Sequence, residues 1–579
     1  MELVENSRAS AGVGLIPSTP RFGIIEERNI LVRMPDGVNL CVDIFRPDVP
    51  GKFPALVAVS PYGKDVQHIG VPPQPAHSIT FDHSIEAGNV SFFVARGYIM
   101  VIGDLRGTGK SEGSWGGFYN RQDQEDTRDL IEWTAVQSWC SGKIGMSGHS
   151  YFGVMQLLTA AQQPPHLRVI APIETMPSLY EKAYPGGITS AWYSFVLKMT
   201  TTHTPALDSA QRWSPAELQM RIAARVADPD IRTNSFFVRE FNAPTKNAAF
   251  VDQLLHPTYD DFWEERSVRP KYPRIRTPML LASFWGYYGL IDGAFEAFTD
   301  EALVDVPKRL LVLSHGTSSA KLPLRLYDEE LLRWYDHWLK GIDTGVLDAP
   351  ALRLYIPGRE IVRTEHEWPL ARTEWTRFYL RRYEELSTEP ETDMTEPDAF
   401  VHLPPMISAR LSSLRYCTNP FSTGIEVTGP ASLVLYAAID QVDANFIVNL
   451  WDIYPTGKRT LVTKGYLRAS HRKVDEVRSK IGRPFHLHTN PIPVVPGEIL
   501  ELQIRFSVMS NYFRVGHRLE LEIGSSDAFV MPADSTGIGA VIEDKMNAMG
   551  ILPSSNLIYY RIFRDQDRQS HLVLPIIPD

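Results

Sequence analysis

The stretch GKIGMSGHSYFGVMQLLTAAQQ, residues 142–163, decides the fold. It opens as a short strand, bends through Gly148-His149-Ser150-Tyr151-Phe152-Gly153, and leaves as a helix-forming run. The bend reads G-x-S-x-x-G, a near relative of the G-x-S-x-G elbow with its second glycine one residue late. Such a strand-to-helix turn lifts a serine hydroxyl above a parallel sheet, and small neighbours keep the bend free of clashes. Ser150 is therefore the expected nucleophile. The backbone N–H of Tyr151 is the expected oxyanion donor, since the residue after the nucleophile supplies one. The hexapeptide alone is common, and the alternative is a surface serine in a glycine-rich turn. The flanking strand and helix favour the elbow. His149 is expected to point away from Ser150 as a structural or pocket-lining side chain.

Working outward, buried-strand patterns recur at ALVAVSPYGK (55–64), GYIMVIGDLRGTGKSEG (97–113) and VIAPIET (169–175). Between them QEDTRDLIEWTAVQSW (124–139) carries Leu130, Ile131, Trp133, Thr134 and Val136 at helical spacing. Further upstream, NILVRMPDGVNLCVDIFRP (29–47) is a hairpin turning at Asp36-Gly37. The strand pattern returns at TPMLLASFWG (277–286) and RLLVLSHG (309–316), and LYDEELLRWYDHWLKG (326–341) reads as a closing helix. Alternating strands and helices predict a doubly wound parallel sheet, an α/β-hydrolase fold. Residues 176–270 lose the strand pattern and are rich in aromatics and helix formers, which predicts an inserted helical cap. Beyond about 350, short strands such as ALRLYI, ASLVLYAAI and RLELEIGSS predict an antiparallel jelly roll. The expected domains are 1–175 with 271–348, the cap at 176–270, and an all-β domain at 349–579.

Composition narrows the class. The chain has 579 residues, several times the roughly 100–200 typical of one domain. Its net charge is −10 without a long basic run, which reads as solubility and argues against nucleic acid. Cys41, Cys140 and Cys417 lie far apart, so neither a disulfide framework nor a zinc site is expected, and a reducing compartment fits. The opening MELVENSRASAGVGLIPSTP has no basic segment followed by an apolar core, and no run approaches ~20 apolar residues. The expectation is a cytoplasmic enzyme without cofactor, metal or membrane span.

Several ordered segments carry a resemblance: MPDGVNLCVDIFRP, SPYGK, DLRGTGKSEG, GKIGMSGHSYFG, YPGG (184–187), HPTYDDFW (256–263), WYDHWLKG (334–341), EVTGP (426–430), KGYLRAS (464–470) and FRVGHRLELEIGSS (513–526). Together they resemble the cocaine esterase, X-prolyl dipeptidyl peptidase and α-amino acid ester hydrolase family over nearly the whole chain. The resemblance implies an α/β-hydrolase domain, a helical cap and a C-terminal jelly roll. It also implies that Tyr62, in Pro61-Tyr62-Gly63-Lys64, donates its hydroxyl to the oxyanion. Such a donor is typically worth about 3 kcal/mol. The alternative is a tyrosine packed at a strand end.

The chain departs from the family where the acid and base should stand. The family's acid segment is G-W-Y-D, whereas here the strand ends Trp285-Gly286-Tyr287-Tyr288-Gly289. Asp292 is the nearest carboxylate, as triad acid or as a cap for the following helix. The family's G-P-W-x-H becomes Leu313-Ser314-His315-Gly316-Thr317, which leaves His315 as the expected base or else a loop histidine. Loss of the orienting acid costs on the order of 10⁴ in turnover and leaves residual catalysis. Three functions remain open: an ester or amide hydrolase, an acyltransferase using the same acyl-enzyme, and a binding protein that has lost its chemistry. The cap aromatics Tyr180, Tyr184, Trp192, Tyr193, Phe195, Trp213, Phe236 and Phe237 suit a bulky apolar acyl substrate, or simply pack the cap. A large sandwich domain offers surface for a homodimer.

Other motifs carry less. DLRGTGKSEG contains Gly-Lys-Ser, but Asp104 stands where a phosphate loop needs its first glycine. His486-Leu487-His488 would share a strand face with no third ligand evident. Asp336 and His337 are expected to solvate a helix face.

Overall fold

The computed structural model describes residues 17–67, 86–190, 212–232, 234–244, 248–286, 289–315, 324–404, 412–526 and 551–578. Within these spans the side chains of Phe236, His315, Leu324 and Arg325 are not described.

The first strands are β1 (Ile24–Arg33), β2 (Asn39–Pro47), β3 (Phe53–Ser60), β4 (Ile99–Asp104), β5 (Cys140–Met146) and β6 (Leu167–Val169). They pair in the order β1-β2-β4-β3-β5-β6. β1 and β2 form the expected antiparallel hairpin, with Val32 opposite Leu40. β3, β4, β5 and β6 run parallel. β4 is buried at all six positions, as a strand covered on both faces must be, and so it reads as a continuous apolar run.

Beyond β6 the chain stays extended, and bridges Ile170–Met279 and Ile173–Ala282 join it in parallel to β7 (Met279–Trp285). β8 (Lys308–His315) follows β7 in parallel. One open sheet thus carries the α/β-hydrolase strand order. Its far edge differs from the sequence expectation. The ALRLYI strand, β9 (Leu352–Ile356), pairs parallel with β8, and β10 (Ile361–Glu365) pairs antiparallel with β9. Residues assigned by pattern to the β-rich block therefore extend the hydrolase sheet. Their alternating burial is the same in either setting, and only the partner distinguishes them.

Helices cover both faces. α1 (Val90–Val94) packs on β4, α2 (Arg121–Ala135) on β5, and α3 (Tyr151–Ala160) follows β5 directly. All ten residues of α3 are buried, consistent with a helix apolar on every side. From 176 to 270 the elements named among the described residues are helices, including Leu179–Ala183, Pro215–Ala227, Ala248–Leu255 and Asp261–Arg266. The closing helix Leu324–Tyr335 continues as a π-helical turn, Asp336–Lys340. There Asp336 is buried, contrary to the solvated face expected for it. Its carboxylate accepts from Tyr98 Oη at 2.6 Å and from Ser18 N at 2.7 Å, tying the N-terminal segment to this helix. Among the described residues thirteen further strands, from Glu374–Arg381 to His571–Ile577, form the all-β domain with its own core.

Candidate active site

Ser150 sits between β5 and α3 with φ 58° and ψ −116°, a conformation that costs a non-glycine residue about 1–3 kcal/mol. Three features hold it there. The Ser150 N–H donates to Ile173 O at 2.9 Å, and the His149 N–H donates to Glu86 O at 3.0 Å. Buried Gln156 donates to Gly148 O at 2.9 Å and Ala171 O at 3.2 Å while accepting from Ala171 N at 2.7 Å. This clamp between the elbow and the neighbouring strand had no motif to reveal it.

The glycines have specific causes. Gly148 has φ 116°, and a Cβ there would stand 2.5 Å from Phe152 Cβ. A Cβ on Gly153 would stand 2.3 Å from Ile173 O, so the late glycine makes room for the adjacent strand. Ser150 itself is partly exposed.

Tyr151 occupies the first turn of α3, where backbone N–H groups and the helix dipole favour negative charge. Its ring is buried, stacked on Tyr119 at 4.4 Å, and its hydroxyl donates to Asp123 at 3.2 Å. Tyr62 follows β3 and meets the Tyr151 ring edge-on at 5.7 Å, so the fold packs these two side chains together. Burial, and then the Glu86 carboxyl, push the Tyr62 phenol well above its ordinary value, which keeps it a donor.

Beside the elbow lies an acidic pair that the sequence did not single out. Glu86 Oε1 is 3.9 Å from Nε2 of buried His149. Burial, followed by the charge of Glu174, pushes the Glu86 carboxyl well up. Glu174 is buried and has φ 53°. Burial also pushes the Lys182 ammonium down to about 8, with Glu174 opposing the shift.

His315 closes β8, paired with Trp285 at the end of β7. Its side chain lies outside the described residues, as do Tyr287, Tyr288 and Gly316. Asp292 lies in the helix Ile291–Thr299, whose N-cap position is Leu290 without a side-chain bond, so Asp292 is not the helix cap. Its Oδ1 accepts from Val508 N at 3.0 Å and lies 3.5 Å from Arg505, both in the β domain.

The cap aromatics divide. Trp192, Tyr193 and Phe195 lie outside the described residues. Tyr180 and Tyr184 stack at 5.3 Å, Trp213 stacks on His256 at 4.9 Å, and Phe237 packs on Phe250 at 5.4 Å. These four are packing partners within the cap, because composition alone does not separate core rings from pocket rings.

The remaining motifs are structural. Asp104 accepts from Lys64 N at 2.6 Å and Lys110 N at 2.9 Å, filling the loop where a phosphate would have to sit. Lys64 pairs with buried Asp43 at 2.9 Å. His488 Nδ1 lies 3.1 Å from Nδ1 of a third histidine, His471, and burial pushes both imidazoles down. Among the described residues no group of His, Cys, Asp or Glu is arranged to hold a metal ion.

An open parallel sheet, a strained serine at its nucleophile turn and tyrosines beside that turn define a serine hydrolase of the α/β class. Residues 36–315 match the X-Pro dipeptidyl-peptidase (S15 family) model, and residues 344–537 match the X-Pro dipeptidyl-peptidase C-terminal non-catalytic domain. The chain resembles this family over both matched regions. It is 27% identical over 606 residues to cocaine esterase of Rhodococcus sp., covering 95% of this chain and 98% of that one. A CocE/NonD family hydrolase from Staphylococcus aureus superposes with TM-score 0.74 at 24% identity, covering 96% and 94% of the two chains. An α-amino acid ester hydrolase superposes with TM-score 0.70 at 17% identity, covering 98% and 99%. These two structures speak for the fold.

Proposed function

We propose that this chain hydrolyses an ester or amide through an acyl-enzyme on Ser150. Ser150 Oγ attacks the acyl carbon while His315 takes its proton. The tetrahedral oxyanion is held by the Tyr62 hydroxyl and the Tyr151 N–H. Collapse expels the alcohol or amine with the proton from His315, and water then repeats the sequence to release the acid. The observation that carries this reading is the strained conformation of Ser150 at the start of α3. Strain of that kind persists where surrounding structure enforces it and clusters at reactive groups.

The substrate in this proposal is a small acyl compound. Asp292 is assigned to the boundary with the β domain, because its hydrogen bond and its ionic partner both lie there. We place the protein in the cytoplasm, which accords with free Cys41, Cys140 and Cys417. No helix among the described residues is long and apolar enough to cross a membrane. A homodimer through the β domain belongs to the same proposal and is read by sedimentation.

The test is a fluorophosphonate probe with the adduct mapped by mass spectrometry. Labelling at Ser150 that is lost in Ser150→Ala is expected. A folded protein unlabelled at Ser150 overturns the proposal.

A further inference from the structure

A serine–histidine pair needs a carboxylate to fix the imidazole and to stabilise its charged form. Tyr288 stands where the family's aspartate would be, and Asp292 faces Val508 and Arg505. We propose that Glu174 is the carboxylate that positions the base of the Ser150 site, from the strand between the nucleophile and β7. This rests on the reading of Ser150 and His315 given above.

The placement comes from backbone pairing. Ile173 bridges His149 on one side and Ala282 on the other. Its carbonyl accepts the Ser150 N–H at 2.9 Å, and the next N–H, that of Glu174, donates to Ala282 O at 2.8 Å. Glu174 therefore stands at the carboxyl edge of the sheet, one strand from Ser150 and beside β7. β8, which ends at His315, is the next strand across. Nucleophile, acid and histidine then follow in the chain order usual for this fold.

The conformation of Glu174 supports a role for its side chain. Its φ of 53° is nearly that of Ser150, at 58°. A simple turn at such a φ favours glycine or asparagine, and another residue pays about 1–2 kcal/mol. A glutamate kept there, and buried, is a costly choice for a link between strands.

Its neighbours define where the carboxylate acts. Glu86 lies on the nucleophile side, near His149. Lys182 lies on the cap side. Tyr327 lies on the far side, and its phenol, raised mainly by burial, also feels Glu174. The Tyr327 hydroxyl donates to Ser283 O at 2.7 Å and accepts from Leu313 N at 3.2 Å. It thus marks the seam between β7 and β8, two residues before His315. The charge of Glu174, after burial, helps to raise the Glu86 carboxyl, so the two acids lie close enough to feel each other. As a positioning residue Glu174 touches no substrate. Its task is to hold one tautomer of the base and to stabilise the imidazolium.

A competing explanation is that Glu174 is only the counter-charge of buried Lys182. The test measures the rate of Ser150 labelling by a fluorophosphonate probe against pH in four proteins: wild type, Glu174→Gln, Glu174→Gly and Lys182→Met. Glu174→Gly guards against misfolding, because glycine takes the positive φ without strain. Glu174→Gln is expected to label about 10³–10⁴-fold more slowly. The acid limb of its pH profile should move to lower pH, because an imidazolium without its anion loses its proton more readily. Added formate should restore part of the rate in Glu174→Gly, which a structural role does not predict. Lys182→Met should label within a few-fold of wild type. If Glu174→Gln labels at the wild-type rate with an unmoved profile, or if Lys182→Met reproduces the loss, Glu174 is not the positioning acid. Wild type that labels beside an unaffected Glu174→Gln sinks this inference alone. Wild type never labelled at Ser150 sinks the proposed function with it.

Discussion

Gly153 lies so close to Ile173 that a methyl group on it would stand 2.3 Å from the Ile173 carbonyl oxygen. That same oxygen accepts the Ser150 N–H at 2.9 Å. One carbonyl thus limits the helix after Ser150 and latches Ser150 itself. Gly153→Ala must push the two apart. The expected outcome is a loss of about 1–3 kcal/mol of stability with Ser150 labelling slowed at least tenfold. A variant that melts and labels as wild type would show that the elbow tolerates a wider gap than the backbone geometry allows.

The strain at Ser150 gives a prediction of opposite sign. Glycine takes φ 58° and ψ −116° without penalty, so Ser150→Gly should melt higher than wild type while losing all labelling. The gain should be about 1–3 kcal/mol, the cost of holding a side chain in that region. Ser150→Ala keeps a Cβ and should gain little. Thermal melts of the two variants side by side decide it. Equal melting temperatures would mean that the turn is not strained.

The sequence made the strand-to-helix turn at Ser150 legible because strand, bend and helix are consecutive there, so local pattern is enough. Tyr62 was reachable only through the family resemblance, since nothing in Pro61-Tyr62-Gly63-Lys64 announces a ring 5.7 Å from Tyr151. Glu174 could not be read at all. Its nearness to Ser150 arises from Ile173 pairing with His149 and Ala282, and pairing partners leave no mark in a single strand's composition. The same blindness put Leu352–Ile356 in the wrong sheet. It also left Asp336 in solvent, where its partner Ser18 is over three hundred residues away in the chain.

Asp292 is predicted to matter for stability more than for chemistry. Asp292→Ala strips the buried Val508 N–H of its acceptor and leaves Arg505 one anion poorer. An unsatisfied buried donor costs about 1–3 kcal/mol. The expected result is a lower melting temperature with Ser150 labelling within a few-fold of wild type. A thousandfold slower label in a protein that still melts as wild type would return Asp292 to the catalytic site.

Tyr62→Phe removes the hydroxyl and keeps the ring against Tyr151. If Tyr62 is a transition-state donor, turnover of an activated ester should fall by about 10²–10³ with KM little changed. Because burial and Glu86 raise the phenol, wild-type turnover should show no alkaline loss from Tyr62 near neutrality. A variant changed only in KM would make Tyr62 a binding residue.

Asp123 supplies a pH dependence seated beneath the site. It accepts from Trp115 Nε1 at 3.1 Å and from the Tyr151 hydroxyl at 3.2 Å. Burial pushes its carboxyl up to about 8, against the pull of the Trp115 bond. An unfolded aspartate titrates near ~3.9. Between those values the folded chain holds a proton that the unfolded chain has released, so stability falls as pH rises through that window and levels off above it. Asp123→Asn keeps an acceptor for Trp115 and Tyr151 without a titrating group. Its melting temperature should therefore lose this part of the decline between about pH 5 and 8, and should exceed that of wild type at the alkaline end. Parallel melting curves for the two proteins across that range would mean that Asp123 is ionised in the native state and that its burial is offset elsewhere.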